Sequence, residues 1–445
     1  MSSKGRAPQH RRSHRIGGWL PRDLDVIKNH VRHVLKSALD DDLQFVSPVQ
    51  DLASLVYGNP EVYMLFTQML TEVPTRPPYD KDPSGQPEIS NVPDLLTAIN
   101  WQIQQPISYN DSAQIGTPIN AILDWPMCTK AGFAAFLRDD VNACFRGILV
   151  YWSCFLSTSA SVATVTTADG GWLSPMAQAD KLSPGLKDFL TTYAVPDAND
   201  PIRYGFSTWD QFFTRKFLPG KRNVASPTDS SVITSMAEST PFSLQTNVQL
   251  QDSFWGKDQA YSLQHLLADS YMVQQFVGGT VYQAFLSADN YHNWHAPVSG
   301  KWLQTPKIIS GTYYSKPLLW GFSPDEDDTV DPDEGADARS QGYISCVAKR
   351  GVGFIQPDDT SLGLIGVVMI GMAEVSSIHF DALDHFDKGD EIGRFHFGGS
   401  THCLIFGPNV AFDPVPAAQV QDPTHVNLDQ PIVEVCSKLG TLTAK

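Results

Sequence analysis

GRFHFGGSTHCLIF, residues 393–406, is the stretch on which the reading of this chain turns. Arg394 to Phe397 alternates polar and apolar residues, and Cys403 to Phe406 is a continuous apolar run. Both halves have strand character, since alternation marks a half-buried strand and a short apolar run a buried one. Gly398, Gly399, Ser400 and Thr401 interrupt what would otherwise be a single strand. One reading is conformational: a tight hairpin turn or bulge, where glycine supplies positive φ at little steric cost. The other is chemical: a backbone at Gly399 that is approached closely and held under strain, beside the hydroxyl of Ser400. Pattern alone favours the turn.

From about residue 228 the sequence keeps the same texture, short strands separated by turn signals. TVYQAFL, KWLQTPKIIS, YISCVAKRGVGFIQ and LGLIGVVMIGMAEVSSIHF all read as strands, and YSLQHLLAD as a short helix among them. The acidic segment 324–340, PDEDDTVDPDEGADARS, reads as a solvated loop, with calcium chelation as the alternative. Residues 22–190 differ, because apolar side chains recur there at three- and four-residue spacing. The segment 129–157 is read as one long helix or a pair, and GILVYWSCFL (147–156) within it as a buried helix. The predicted class is therefore α+β, with a basic tail over 1–21, a helical N-terminal domain over 22–190 and a β-rich domain over 205–445. A chain of 445 residues is also too long for one ordinary core.

The net charge of −16 argues against a nucleic-acid partner and against docking on anionic lipid through a broad basic face. No run reaches the 18 apolar residues of a membrane span, so stable membrane insertion is not expected. The basic tail lacks the apolar face of a presequence, which points to the cytoplasm. Six cysteines (128, 144, 154, 346, 403 and 436) form no C-x-x-C pair, the pattern of reduced thiols rather than of a disulfide framework or a structural metal site.

The densest polar cluster is SADNYHNWHAPVSG, residues 287–300. His292 and His295 in it could be a structural pair, a metal pair short of a third ligand, or proton carriers near neutral pH. Glu238 in SMAES and Glu374 in GMAEV each read as a lone carboxylate facing solvent. The segment 207–224, with Arg215, Lys221 and Arg222 among aromatics, reads as packing at a domain junction.

Taken in order, FSTWDQFFTRKFLPGKR, YSLQHLL, NYHNWHAPVSG, VVMIGMAEVSSI and KGDEIGRFHFGGST resemble the phosphatidylserine decarboxylase family over roughly residues 205–410. HRIGGWLPRD (14–23) and TKAGFAAFLRDDVN resemble the helical domain of its soluble fungal members. The resemblance implies a proenzyme that cuts itself at Gly399–Ser400 into a large chain and a small chain of residues 400–445. Ser400 Oγ would attack the Gly399 carbonyl, and β-elimination followed by hydrolysis would leave a pyruvoyl group on residue 400. That group would be the Schiff-base site for a substrate amine, with no pyridoxal phosphate and no Schiff-base lysine.

By the same resemblance His295 is the self-cleavage base and His292 the proton carrier in decarboxylation. Glu238 takes the place of the family's usual Asp and would orient His295. Asn293 stands where the family usually has Arg. Glu238 is shared with the tryptophan-decarboxylating branch, so the expected substrate is a small aromatic L-amino acid, L-tryptophan first. Phosphatidylserine is the alternative substrate, and an inactive binding protein the alternative of another class.

Overall fold

The computed structural model describes residues 25–73, 87–109, 116–127, 129–179, 184–252, 261–268, 270–287, 289–314, 341–372, 374, 377–420 and 432–445. The basic tail 1–21 and the acidic segment 324–340 lie outside the described residues.

The first part is helical, as the periodicity predicts: α1 (Asp25–Asp41), α2 (Ser47–Gly58), α3 (Pro60–Glu72), α4 (Val92–Gln102), α5 (Pro118–Met127), α6 (Lys130–Phe136) and α7 (Asp139–Leu156). Side chains start several of them. Asn59 accepts from the N–H groups of Glu61 and Val62, Asn91 from that of Asp94, and Thr129 from that of Gly132. The segment 129–157 is thus a pair of helices. GILVYWSCFL is only half buried: Ile148, Leu149 and Trp152 face the core, while Val150 is exposed, because a 3.6-residue period turns every run outward.

Among the described residues fifteen strands follow. The first eight are β1 (Tyr193–Ala194), β2 (Lys216–Phe217), β3 (Val232–Thr234), β4 (Thr240–Thr246), β5 (Thr280–Leu286), β6 (Asn293–His295), β7 (Gly300–Trp302) and β8 (Lys307–Ile309). The rest are β9 (Arg350–Pro357), β10 (Ile365–Gly371), β11 (Ser377–Phe380), β12 (Glu391–His396), β13 (Ser400–Phe406), β14 (Val410–Pro414) and β15 (Lys438–Ala444). The main sheet runs β4-β5-β13-β10-β9-β7, with β8 also on β9, and two three-stranded sheets are ordered β11-β12-β6 and β14-β15-β3.

One strand expectation is corrected. YISCV is not strand but the helix Gln341–Val347, which covers one face of the main sheet: Gln283 of β5 donates to Ser345 Oγ (3.0 Å) and to Gln341 Oε1 (3.2 Å). LGLIGVVMIGMAEVSSIHF is two strands, β10 and β11, in different sheets.

β13 is central, paired antiparallel with β5 on one side and β10 on the other. Its side chains alternate between two cores. Leu404 and Phe406 pack with Trp294 and Phe395 of the small sheet, while Cys403 and Ile405 pack with Leu263, Ile344 and the helical cover. Ser400 and His402 therefore share the face of Leu404.

Candidate active site

The opening stretch is not a hairpin. β12 belongs to a three-stranded sheet and β13 to the main sheet, so residues 397–399 carry the chain from one sheet to the other. Phe397 has φ +34° and Gly398 φ +116°. The first is unfavourable for a residue with a Cβ, and the second is open to glycine at little cost. Such a conformation costs about 1–3 kcal/mol and persists only where its surroundings impose it.

Helix α7 and the short helix Trp209–Phe213 impose it here. The Phe397 ring packs edge-on against Trp152 of α7 at 4.7 Å and against Trp209 at 4.9 Å. Just before the turn, His396 Nδ1 lies 2.9 Å from Asp210 Oδ1, in the short helix Trp209–Phe213. Just after it, Ser400 is locked between Leu286 and Gly371.

The N–H of Met372 donates to the carbonyl of Gly399 at 3.0 Å. That donor polarises the carbonyl next to Ser400, and it is placed to stabilise negative charge on the oxygen if the hydroxyl attacks. Ser400 is fully buried, and its Oγ has no hydrogen-bond partner among the described residues. A buried hydroxyl left without a partner is unfavourable and calls for an explanation.

His292 is also fully buried. Its Nδ1 lies 2.8 Å from the carbonyl oxygen of Asn290, an acceptor only, so Nδ1 carries the proton and Nε2 presents its lone pair. Nε2 has no partner among the described residues, and the ring stacks on Phe213 at 4.2 Å. Burial pushes its pKa down to about 3, so it is neutral at neutral pH.

His295 is held at both nitrogens. Nδ1 donates to the Gly389 carbonyl at 2.7 Å, and Nε2 accepts from the Tyr291 hydroxyl at 3.0 Å. Burial lowers its pKa as well. Glu238 is not what orients it. Arg222 donates to Glu238 Oε1 through Nε (3.0 Å) and a terminal nitrogen (2.5 Å), and the N–H of Val435 donates to Oε2. Glu238 is also buried, in the turn between β3 and β4, rather than facing solvent from a strand. It lines a cavity of about 310 Å³ with Tyr193, Arg222, Asn290, Tyr291 and Glu434, behind the histidine segment.

Asn293 donates to the carbonyl of Arg215 at 3.0 Å and so ties β6 to the chain just before β2. Arg215 does more than pack at a junction. Its buried guanidinium donates to the carbonyls of Asp289 (2.5 Å) and Gly185 (3.2 Å) and lies over the Tyr193 ring at 4.4 Å. It thereby fixes the loop that leads into His292.

Glu374 is likewise not a solvent-facing carboxylate. It is 2% exposed, has φ +72°, and its Oε1 accepts from the N–H of Asn120 at 2.7 Å, at the start of α5. Oε2 has no partner among the described residues. The sequence signal for this was present: one acidic residue inside an otherwise apolar segment, three positions beyond Gly371, the partner of Ser400.

A buried Gly-Ser bond thus lies at a sheet crossover, its carbonyl held by a backbone donor, and comparison with known proteins gives the class, a decarboxylase. Two family models, both described as phosphatidylserine decarboxylase, match residues 46–181 and 209–432. The chain belongs to the phosphatidylserine decarboxylase family and is a carboxy-lyase.

It is 37% identical to the decarboxylase iboD of Amanita muscaria, over 66% of this chain and 84% of that one. It is 30% identical to the L-tryptophan decarboxylase of Psilocybe cubensis, over 88% of each chain. Phosphatidylserine decarboxylase proenzyme 3 of Schizosaccharomyces pombe is 30% identical over 47% of this chain and 20% of that one. Among the described residues no helix is long and apolar enough to cross a membrane.

Proposed function

We propose that this chain is a proenzyme that cleaves itself at Gly399–Ser400 and then decarboxylates an aromatic L-amino acid in the cytoplasm, with L-tryptophan the first substrate. The observation that carries the reading is the Gly399 carbonyl, held by the Met372 N–H beside an unpartnered Ser400 hydroxyl. The attacking Ser400 Oγ forms an ester with Gly399 as the amide C–N bond breaks. The proton it loses passes to an imidazole and on to the departing nitrogen.

His295 is the residue assigned to that proton, and its Nε2 lone pair becomes available when Tyr291 gives up its hydrogen bond. Loss of the Ser400 Cα proton then expels the Gly399 carboxylate, and water converts the dehydroalanine to a pyruvoyl group with release of ammonia. That group, once made, supplies the electron sink for loss of CO₂ from an α-amino acid. His292, neutral and with Nε2 unspent, is suited to return the proton.

The likeness to two L-tryptophan decarboxylases over most of the chain supports a small aromatic substrate over a lipid. The test is CO₂ release from L-tryptophan and, separately, from phosphatidylserine by the purified protein. Turnover of the lipid alone contradicts the proposed substrate class.

A further inference from the structure

Beyond the histidines, a group of unpartnered polar atoms lies where the end of β10, the strand beside Ser400, meets the helical region. Gly371 pairs with Ser400, Met372 holds the Gly399 carbonyl, and Glu374 follows two residues later. Its Oε1 takes up the free N–H of Asn120 in the first turn of α5, where Pro118 has none to offer. Burial without a cationic partner pushes this carboxyl well above the usual carboxylate range, so it is a neutral acid. With Oε1 accepting, the proton sits on Oε2.

Oε2 is then a donor with no acceptor among the described residues. Asn120 Nδ2 and the Tyr314 hydroxyl likewise have no partner among the described residues, both residues are buried, and Tyr314 lies within electrostatic reach of Glu374. Tyr314 packs edge-on against Phe145 at 5.1 Å and Phe136 at 6.2 Å, which gives this polar corner an apolar wall. Three buried donors lacking an acceptor call for a group rich in lone pairs and poor in protons.

Given a substrate amine bound at residue 400, as proposed above, we propose that Glu374 Oε2, Asn120 Nδ2 and the Tyr314 hydroxyl receive the α-carboxylate of the substrate. Neutral donors suit a group that must leave as CO₂. They orient it, whereas a cation would stabilise the carboxylate more than the transition state in which its charge moves away. A free amino acid and the serine headgroup of phosphatidylserine carry the same α-amino carboxylate, so both are assayed.

Asn120→Ala removes Nδ2 and keeps the backbone N–H that Glu374 accepts, so self-cleavage and Tm stay as in the wild type. Its KM for whichever substrate is turned over rises about 10- to 100-fold, the loss of one hydrogen bond to a charged group. Tyr314→Phe moves KM the same way. Glu374→Gln, which restores a donor, stays within about fivefold of wild type, while Glu374→Leu does not. Wild-type KM in Asn120→Ala, with only Glu374→Leu losing stability, overturns the assignment by making Glu374 a helix cap alone. A wild-type chain that stays uncut, or is cut and releases CO₂ from neither substrate, overturns the decarboxylase reading and the carboxylate assignment with it.

Discussion

Phe397 lies edge-on to Trp152, ring centres 4.7 Å apart, and this contact joins the helical region to the residue three positions before Ser400. It accounts for a role of the N-terminal helices in chemistry that happens on a β-strand. The turn at 397–399 is unfavourable in isolation, and the helical region keeps it from relaxing.

Phe397→Ala and Trp152→Ala therefore slow self-cleavage and destabilise the fold by about 3–5 kcal/mol, the usual loss for a large buried ring. Trp152→Phe, which keeps an apolar ring, cleaves closer to the wild-type rate. The measurement is a gel time course beside a urea titration. Wild-type cleavage in a destabilised Trp152→Ala protein contradicts the clamp.

The two histidines separate by step. His292→Ala is cut but decarboxylates at least 10²-fold more slowly, whereas His295→Ala accumulates whole chain. Densitometry of the two chains and CO₂ release by the cut fraction check this. Equal effects of the two variants on cleavage would remove the division of roles.

Stability depends on pH through buried imidazoles. Burial holds His292 at about 3 and both His402 and His30 at about 4, all below the ordinary 6.5. The unfolded chain binds protons that the folded one does not, so this stability is complete above pH 6.5 and is lost as pH falls towards those values. At pH 5 each contributes a loss of about 2 kcal/mol. His402→Val, apolar and suited to a buried strand, removes one share. Urea midpoints at pH 7 and pH 5 measure it, and equal midpoints for the wild type contradict it.

Much of this was legible in the sequence, and what was missed has physical reasons. Apolar spacing is a local signal, so the helices could be placed, while the caps Asn59, Asn91 and Thr129 came only with the structure. Residue type alone left Gly399 and Ser400 open to a plain turn and His292 and His295 to a structural pair, and only the order of the motifs singled them out. The sheet change at 397–399 was not legible, because it depends on which distant strands β12 and β13 pair with. Glu238 and Glu374 read as exposed because the sequence does not show which distant partner, Arg222 or the first turn of α5, takes up a single carboxylate. Arg215 works through backbone carbonyls, which no pattern of side chains records.

The most direct test of the central claim is the intact mass of the purified protein, with Ser400→Ala alongside. The account predicts two chains from the wild type, the smaller being residues 400–445 with a pyruvoyl group in place of a free amino terminus, and one uncut chain of 49.0 kDa from the variant. A wild-type chain that remains whole, or a Ser400→Ala chain that is cut at the same bond, contradicts it.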